Sequence, residues 1–257
     1  MNKTAVMNQY NHYERININA FSGKKIATTK LVKFVSNNDY GSYISYFEMK
    51  PNDAVDQIQK EVKYFSELGL SFEWKTYNTD SPVNIAQILI DNGFEEADTE
   101  SFMVLDLASV SEPYFDDNEI VEVSDSQGIR DAISVQQQVW DGDFEWQYNY
   151  LLGLKTQSPK SISIYVVYVD GKPVTSAWII FNLDSPFASI WGGSTVEKYR
   201  GRGYYCKLLN KRIAEAKSRG KKFLSIDASD MSKGIVEKHG FKLIAKTVGY
   251  VYENNIS

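Results

Sequence analysis

The sequence predicts a mixed α/β fold laid out as two tandem copies of one plan. Three observations carry that expectation. Apolar patterns of period 2 and period 3.6 alternate along the chain. Asp170-Gly171 joins two apolar runs and signals a tight hairpin. The segments Ile90-Asp91-Asn92-Gly93-Phe94 and Glu237-Lys238-His239-Gly240-Phe241 close helical stretches in the same way, about 147 residues apart.

In the first half, Lys30 to Val35 and Ser42 to Met49 read as strands. Asp53 to Leu68 places Val55, Ile58, Val62, Phe65 and Leu68 at helical spacing. Ser71 to Tyr77 is a strand, Pro82 opens a helix running to Asp91, and Phe102 to Leu107 is a strand. In the second half Glu119 to Val123 is a strand, and Ser124 or Asp125 caps a helix through Val139. Asp141-Gly142-Asp143 breaks it before a helix from Phe144 to Leu154. Strands follow over Ser161 to Val169, Val174 to Phe181 and Ala188 to Val196. A helix from Tyr204 to Ser218, a strand over Lys221 to Ser229, a helix from Met231 to Lys238 and a strand over Lys246 to Glu253 complete the chain. Ser109 to Asp117 is polar and holds Pro113, so the expected domains are residues 1–108 and 119–257, joined by a linker at 109–118.

Composition narrows the function. The 257 residues include 43% hydrophobic ones, enough for a proper core. One cysteine, Cys206, excludes an internal disulfide, and with 2 His a clustered metal site is not expected. No apolar run is long enough for a membrane helix, and residues 1–30 are polar with no signal-peptide core, so a soluble cytoplasmic protein is expected. The net charge is −5 and uneven: residues 1–118 carry −8 and residues 119–257 carry +3. The basic excess concentrates between Lys198 and Lys222. Overall acidity argues against a nucleic-acid surface. A solvated helix face and electrostatic support for a phosphate both remain open.

The segment Val196 to Leu209 is the most informative stretch. A strand ends, Gly201 and Gly203 supply a tight turn, and a basic helix begins. The first N–H groups of a helix have no intrahelical partners, and with the dipole they attract phosphate. Arg200 and Arg202 add charge-assisted hydrogen bonds. The stretch lacks the Gly-Lys-Ser/Thr of a P-loop and the third glycine of a dinucleotide fingerprint.

This arrangement resembles the acyl-coenzyme A loop of the GNAT superfamily of N-acetyltransferases, whose pattern is Arg/Gln-x-x-Gly-x-Gly/Ala between a central strand and a helix. Arg200, Gly203 and Tyr205 fall on its three positions, and Tyr205 departs from the usual Gly/Ala. The order of elements from about Glu119 to Glu253 is similar to the family's coenzyme A half. Phe72-Glu73-Trp74-Lys75-x-Tyr77, Gly93-Phe94 and Asp227-Ala228-Ser229-Asp230-Met231-Ser232 also resemble bacterial two-domain members with a degenerate N-terminal copy. In that copy the counterpart of the loop, Glu48 to Asp53, has neither glycine nor arginine. The resemblance implies tandem mostly antiparallel twisted sheets flanked by helices.

It also implies acyl transfer, usually acetyl, from coenzyme A to an amine that attacks the thioester directly. The cofactor residues it implies are Ser194, Thr195 and Val196 along the strand, then Arg200, Gly201, Arg202, Gly203, Tyr204 and Tyr205 around the diphosphate. Gly192-Gly193 would flank the cofactor arm or form a simple bulge. The family's tyrosine acid falls on Val236, which cannot donate, and its asparagine on Ser229. Ser229 or Ser232 through water, or Tyr250 or Tyr252, are the candidate donors. Asp143, with Asp141 and Glu145, would bind or deprotonate the amine, or else cap helices; Trp140, Trp146 and Trp191 would wall the acceptor. The expected partners are acetyl-coenzyme A and a small-molecule or peptide amine, with no metal, nucleic acid or membrane, in a monomer or homodimer. Two alternatives stand beside this reading: a non-catalytic acyl-coenzyme A-binding regulatory module, and transfer from aminoacyl-transfer RNA, which the acidity disfavours.

Overall fold

The computed structural model describes residues 1–18, 21–38, 40–111, 113 and 118–254, so residues 112 and 114–117 of the expected linker lie outside the described residues. The chain is a mixed α/β protein. It divides into two compact units: residues 1–103 with 227–236 and 242–257, and residues 104–226 with 237–241.

The first unit opens with α1 (Lys3–Tyr10), which runs on as a wider helical turn over Asn11–Ile16. Neither was expected from the polar N-terminal sequence: only Val6 and Met7 of α1 are buried, too few for a legible stripe. Strands β1 (Gly23–Ala27), β2 (Leu31–Ser36) and β3 (Ser42–Phe47) form an antiparallel run. Helix α2 (Pro51–Glu67) begins with Pro51 in its first turn, where the missing N–H costs nothing. It carries the chain over to β4 (Phe72–Tyr77), which pairs parallel to β3, as a crossover helix permits. Helix α3 (Ile85–Asp91) starts later than Pro82. Two more strands follow, the short β5 (Glu95–Glu96) and β6 (Glu100–Asp106).

The second unit holds β7 (Ile120–Val123), α4 (Ser126–Val139), α5 (Glu145–Gln157), β8 (Ile162–Val169), β9 (Lys172–Phe181), β10 (Phe187–Thr195), α6 (Tyr204–Ser218) and β11 (Phe223–Ala228). Asp125 caps α4 through the Gly128 amide at 2.7 Å. Asp170 and Gly171 both take positive φ, the geometry of the hairpin turn between β8 and β9. Strands β7 to β10 pair antiparallel in sequence order, and β11 lies parallel to β10. Register puts α4 and α6 on opposite faces. Ser176 stands opposite Val166 and meets Gln136 of α4, whereas the neighbouring Tyr165 reaches Glu215 of α6.

The chain then returns to the first unit with α7 (Asp230–Lys238) and β12 (Lys242–Tyr252). β12 pairs antiparallel with β4 from Thr247↔Tyr77 to Tyr252↔Phe72. The core of this unit gathers Phe47, Phe65, Phe72, Trp74, Phe94 and Tyr250. Its buried cations are matched. Arg15 makes a two-pronged bond to Asp80 at 2.7 and 2.8 Å, and Lys33 meets Glu61 at 2.6 Å.

Lys75 of β4 lies 3.1 Å from Asp227 and 3.6 Å from Glu100. Burial raises the pKa values of Glu73 and Glu100, with Lys75 pulling the other way; burial alone would lower Lys75, but Asp227, Glu73 and Glu100 raise it. Replacing Lys75 by Met strands these carboxylates and is expected to cost about 3 kcal/mol at pH 7. A carboxyl whose pKa is raised on folding binds more protons folded than unfolded, so stability is regained as pH falls through that raised value. The gap between wild type and Lys75→Met in urea unfolding is therefore expected to narrow from pH 7 to about pH 5.

Candidate functional site

The site is built where β10 departs from its neighbours. β10 pairs with β9 from Ala188↔Phe181 to Trp191↔Trp178, then resumes at Ser194↔Ser176 after a register shift. Gly192 and Gly193 there stand against the single residue Ala177 of β9. Gly192 takes φ 59°, and a Cβ there would stand 1.9 Å from the Trp178 ring. A Cβ on Gly193 would meet the Tyr205 ring at 2.7 Å. The bulge therefore requires glycine at both places, at Gly192 for conformation and space and at Gly193 for the close approach of Tyr205. On its other edge β10 pairs with β11 only over Phe187↔Phe223, Ala188↔Leu224 and Ser189↔Ser225. Beyond Ser189 no rung joins the two strands among the described residues. The Ser189 and Ser225 hydroxyls close the last rung at 2.9 Å.

Gln136 of α4 braces the bulge from one face. Its side-chain amide donates to Gly192 O at 2.7 Å and to Ser176 Oγ at 2.8 Å, and its carbonyl accepts from Ser194 Oγ at 2.9 Å. Trp140 Nε1 donates to Ser194 Oγ at 3.0 Å. Ser194 is thus committed by its side chain. The Val196 amide donates to Val174 O, which turns the backbone N–H and C=O of Thr195 to the edge away from β9, while its hydroxyl meets that of Thr175 at 3.2 Å. Thr195 O accepts Arg200 Nε at 3.1 Å.

The loop follows. Glu197–Tyr199 makes one 3₁₀ turn, Arg200 is extended, and Gly201 and Gly203 take φ 75° and 83°. Gly203 is the N-cap of α6 and offers no side chain to the first turn. A Cβ on Gly201 or Gly203 would meet nothing within 4 Å. Arg202 donates to Lys198 O at 3.4 Å and lies by the Tyr199 ring. Exposed arginines, a positive dipole end and uncapped amides thus converge on open space, which suits a diphosphate. The Tyr204 side chain is half-buried, and Lys207 pairs with Glu119.

Arg212 was not singled out by the sequence. It is 1% exposed, one helical repeat from Leu208 and from Ala216. The signal was there: Leu208, Leu209, Ile213 and Ala216 form the apolar face of α6, and Arg212 sits within it. Gln136 hides in the same way on the buried face of α4 beside Ile129, Ala132 and Ile133.

The acceptor candidates are dispersed by local roles. Glu145 pairs with Arg130 at 2.6 Å, which lowers its pKa below the usual carboxylate range. Asp143 accepts from the Glu145 amide at 2.9 Å and so caps α5. Asp141 is exposed, as are Trp140, Trp146 and Trp191. Ser229, Ser232, Val236, Tyr250 and Tyr252 belong to the first unit. Ser229 O accepts the Ser232 and Lys233 amides, and Ser232 Oγ lies 3.2 Å from the same carbonyl, so the two serines shape the start of α7. Val236 is fully buried, Tyr250 donates to Glu96 at 3.0 Å, and Tyr252 packs on Phe94. Among the described residues no group of three or more His, Cys, Asp or Glu is placed to hold a metal, and no helix is long and apolar enough to cross a membrane.

Residues 129–241 match the model of the acetyltransferase (GNAT) family. Three solved structures share the fold. A GCN5-related N-acetyltransferase from Kribbella flavida is 14% identical, with a TM-score of 0.67 over 97% of this chain and 93% of that one. A GCN5-related N-acetyltransferase from Sphaerobacter thermophilus is 13% identical, with a TM-score of 0.59 over 87% and 76%. A tandem GNAT protein from the clavulanic acid biosynthesis pathway is 12% identical, with a TM-score of 0.58 over 88% and 79%. No curated protein matches the sequence.

The two kinds of glycine are expected to respond differently to alanine. Gly203→Ala gains only the strain of a left-handed residue, about 1–2 kcal/mol. Gly192→Ala adds a clash with Trp178 and is expected to cost more than about 3 kcal/mol or to prevent folding. Urea unfolding of the two variants measures the difference.

Proposed function

We propose that the protein is an acyl-coenzyme A-dependent N-acyltransferase that moves an acyl group, acetyl in the simplest case, to the amine of a small molecule or peptide. The observation that carries this reading is the uncapped start of α6, entered through two left-handed glycines with open space beside them. The GNAT match over residues 129–241 supports it.

The residues present fit the carrier. Amides from Gly201 to Tyr205 and the guanidinium groups of Arg200 and Arg202 take the diphosphate. Tyr205, in the place of a small residue, turns its ring onto Gly193 and leaves its amide to the ligand. The arm runs along the outward edge of Ser194, Thr195 and Val196, between the parting strands β10 and β11. When bound, coenzyme A supplies the acyl group as a thioester.

A neutral amine attacks the thioester carbonyl, the carbon–sulfur bond breaks, and the sulfur leaves as thiolate. The ammonium that forms loses its proton to water or to a carboxylate; we assign Asp141 and Asp143 to drawing the amine in. We assign the backbone amides at the Gly192-Gly193 bulge to the carbonyl oxygen as it gains charge. Trp191 offers an exposed ring to the acceptor. Orientation supplies most of the barrier lowering, because no enzyme nucleophile takes part.

We also read residues 1–108 as a degenerate copy joined by 109–118 to the complete one at 119–257. The parallel strand–helix–strand step recurs in support, as β3-α2-β4 and β10-α6-β11. Lys50-Pro51 at the start of α2 lacks the left-handed glycines, so this copy is assigned no carrier.

One observation favours the non-catalytic alternative: Val236 stands buried where the family carries its tyrosine acid. Calorimetry and turnover separate the readings. Arg202→Ala is expected to weaken acetyl-coenzyme A by about tenfold to a hundredfold, and Gly203→Trp to abolish binding while the unfolding transition persists. An unchanged dissociation constant in Gly203→Trp refutes the loop assignment. Binding with no acylation across a panel of amines leaves the regulatory module standing.

A further inference from the structure

The described residues contain three buried cationic side chains, Arg15, Lys33 and Arg212. Arg15 has Asp80 and Lys33 has Glu61. Among the described residues Arg212 has no carboxylate partner. Its Nε donates to Leu208 O at 3.0 Å, one turn back on α6, and Nη1 to Trp191 O at 3.4 Å. Its Nη2 is buried without a hydrogen-bond partner. Burial pulls its pKa below the usual arginine value, against the Tyr205 phenol, which faces the guanidinium as a hydrogen-bonding neighbour, and the Tyr165 phenol. The nearby carboxylate of Glu215 is already engaged by Ser163, Tyr165 and Arg219.

Burying a charge without a counter-charge costs several kcal/mol. The bonds to the Leu208 and Trp191 carbonyls recover part of that cost, and among the described residues no carboxylate recovers the rest. The orphaned N–H is therefore informative about what arrives. Its position is equally so. Trp191 lies two residues past Ser189, the last β10 residue paired with β11, and one residue before the bulge. The guanidinium approaches the Trp191 carbonyl where the rungs to β11 have stopped. Tyr205 roofs the same place through its contact with Gly193. All of these residues lie in the second unit.

We propose that Arg212 is a receptor for the far end of the acyl group, and that the preferred donors are coenzyme A thioesters whose acyl chain ends in a carboxylate. This inference rests on the acyl-coenzyme A reading of the site. A planar carboxylate matches the free edge of a guanidinium and supplies the missing charge. An acetyl methyl group supplies neither and leaves Nη2 unsatisfied. The departing sulfur is a competing anion, but it is common to every donor and calls for no selectivity among them. The Tyr205 hydroxyl, in electrostatic contact with Arg212, is the second donor toward the carboxylate.

The test is a calorimetric titration of the full chain with coenzyme A, acetyl-coenzyme A and succinyl-coenzyme A. Succinyl-coenzyme A is expected to bind wild type about tenfold to a hundredfold more tightly than acetyl-coenzyme A. Arg212→Met is expected to erase that preference, and Arg212→Lys to keep part of it. Equal affinity of wild type for the two thioesters overturns the inference while leaving the acyl-coenzyme A reading intact. A uniform loss for all three ligands in Arg212→Met also overturns it, because the arginine then serves the shared part of the carrier. Failure of all three to bind wild type sinks both this inference and the reading beneath it. The wild-type comparison needs no variant, so a poorly folding Arg212→Met does not shield the proposal.

Discussion

The contact between Gly192 and the Trp178 ring is the constraint on which the site depends. Trp178 fills the volume that any side chain at residue 192 would need. The backbone there answers with positive φ, and β10 slips out of register with β9. A strand bent in this way cannot follow a straight parallel neighbour, and its pairing with β11 stops after three residues. Lost rungs leave amides and carbonyls facing outward, a cost of about 1 kcal/mol or more for each group that finds no partner. Gln136, buried on the far face, recovers one of them by holding Gly192 O. The gap is thus a built feature, with a tryptophan forcing it and a glutamine bracing it.

Charge along α6 has a more local meaning than its density suggests. Lys217 donates to Val110 O, Lys221 to the carbonyls of Asn182 and Ser185, and Arg219 to Lys160 O while pairing with Glu215. These side chains tie loops to the helix and its C-terminal end. Lys207 is paired with Glu119. The sequence left a solvated helix face and a phosphate field as alternatives, and half of the run belongs to neither. Arg200 and Arg202 differ: each spends one N–H on the loop's own backbone and remains exposed at the glycine turn.

Elements whose boundaries are set by local chemistry were legible. Gly203 starts α6 at Tyr204, and Asp170-Gly171 makes the hairpin, because positive φ at a glycine turn is a property of the residue itself. The strand over residues 242–252 was legible as a strand, but its partner was not, since pairing Tyr250 with Trp74 is a choice among distant edges. Helix α1 escaped notice because it buries two residues and is held largely from outside, through the Arg15 bonds to Asp80 and Ser45 that follow it. Arg212 escaped for a different reason. In a run of ten basic residues its charge was counted with the rest, and only its place between Leu208 and Ile213 on the apolar stripe distinguishes it.

Acid–base groups are where the molecule is most economical. Ser229 and Ser232 are occupied in starting α7, Tyr250 is bound to Glu96, Asp143 caps α5 and Glu145 holds Arg130. Each of these five has a local task that explains its presence without chemistry. A thiol with a pKa near 8.5 is a tolerable leaving group without a dedicated acid. On the proposed reading, the rate would come from geometry: the strand gap orienting the thioester, the bulge amides meeting the developing charge, and the buried cation at the end of the acyl chain. Such a device has to be rigid more than reactive. That explains why its best-satisfied hydrogen bonds, those of Gln136 and Ser194, lie behind the bulge.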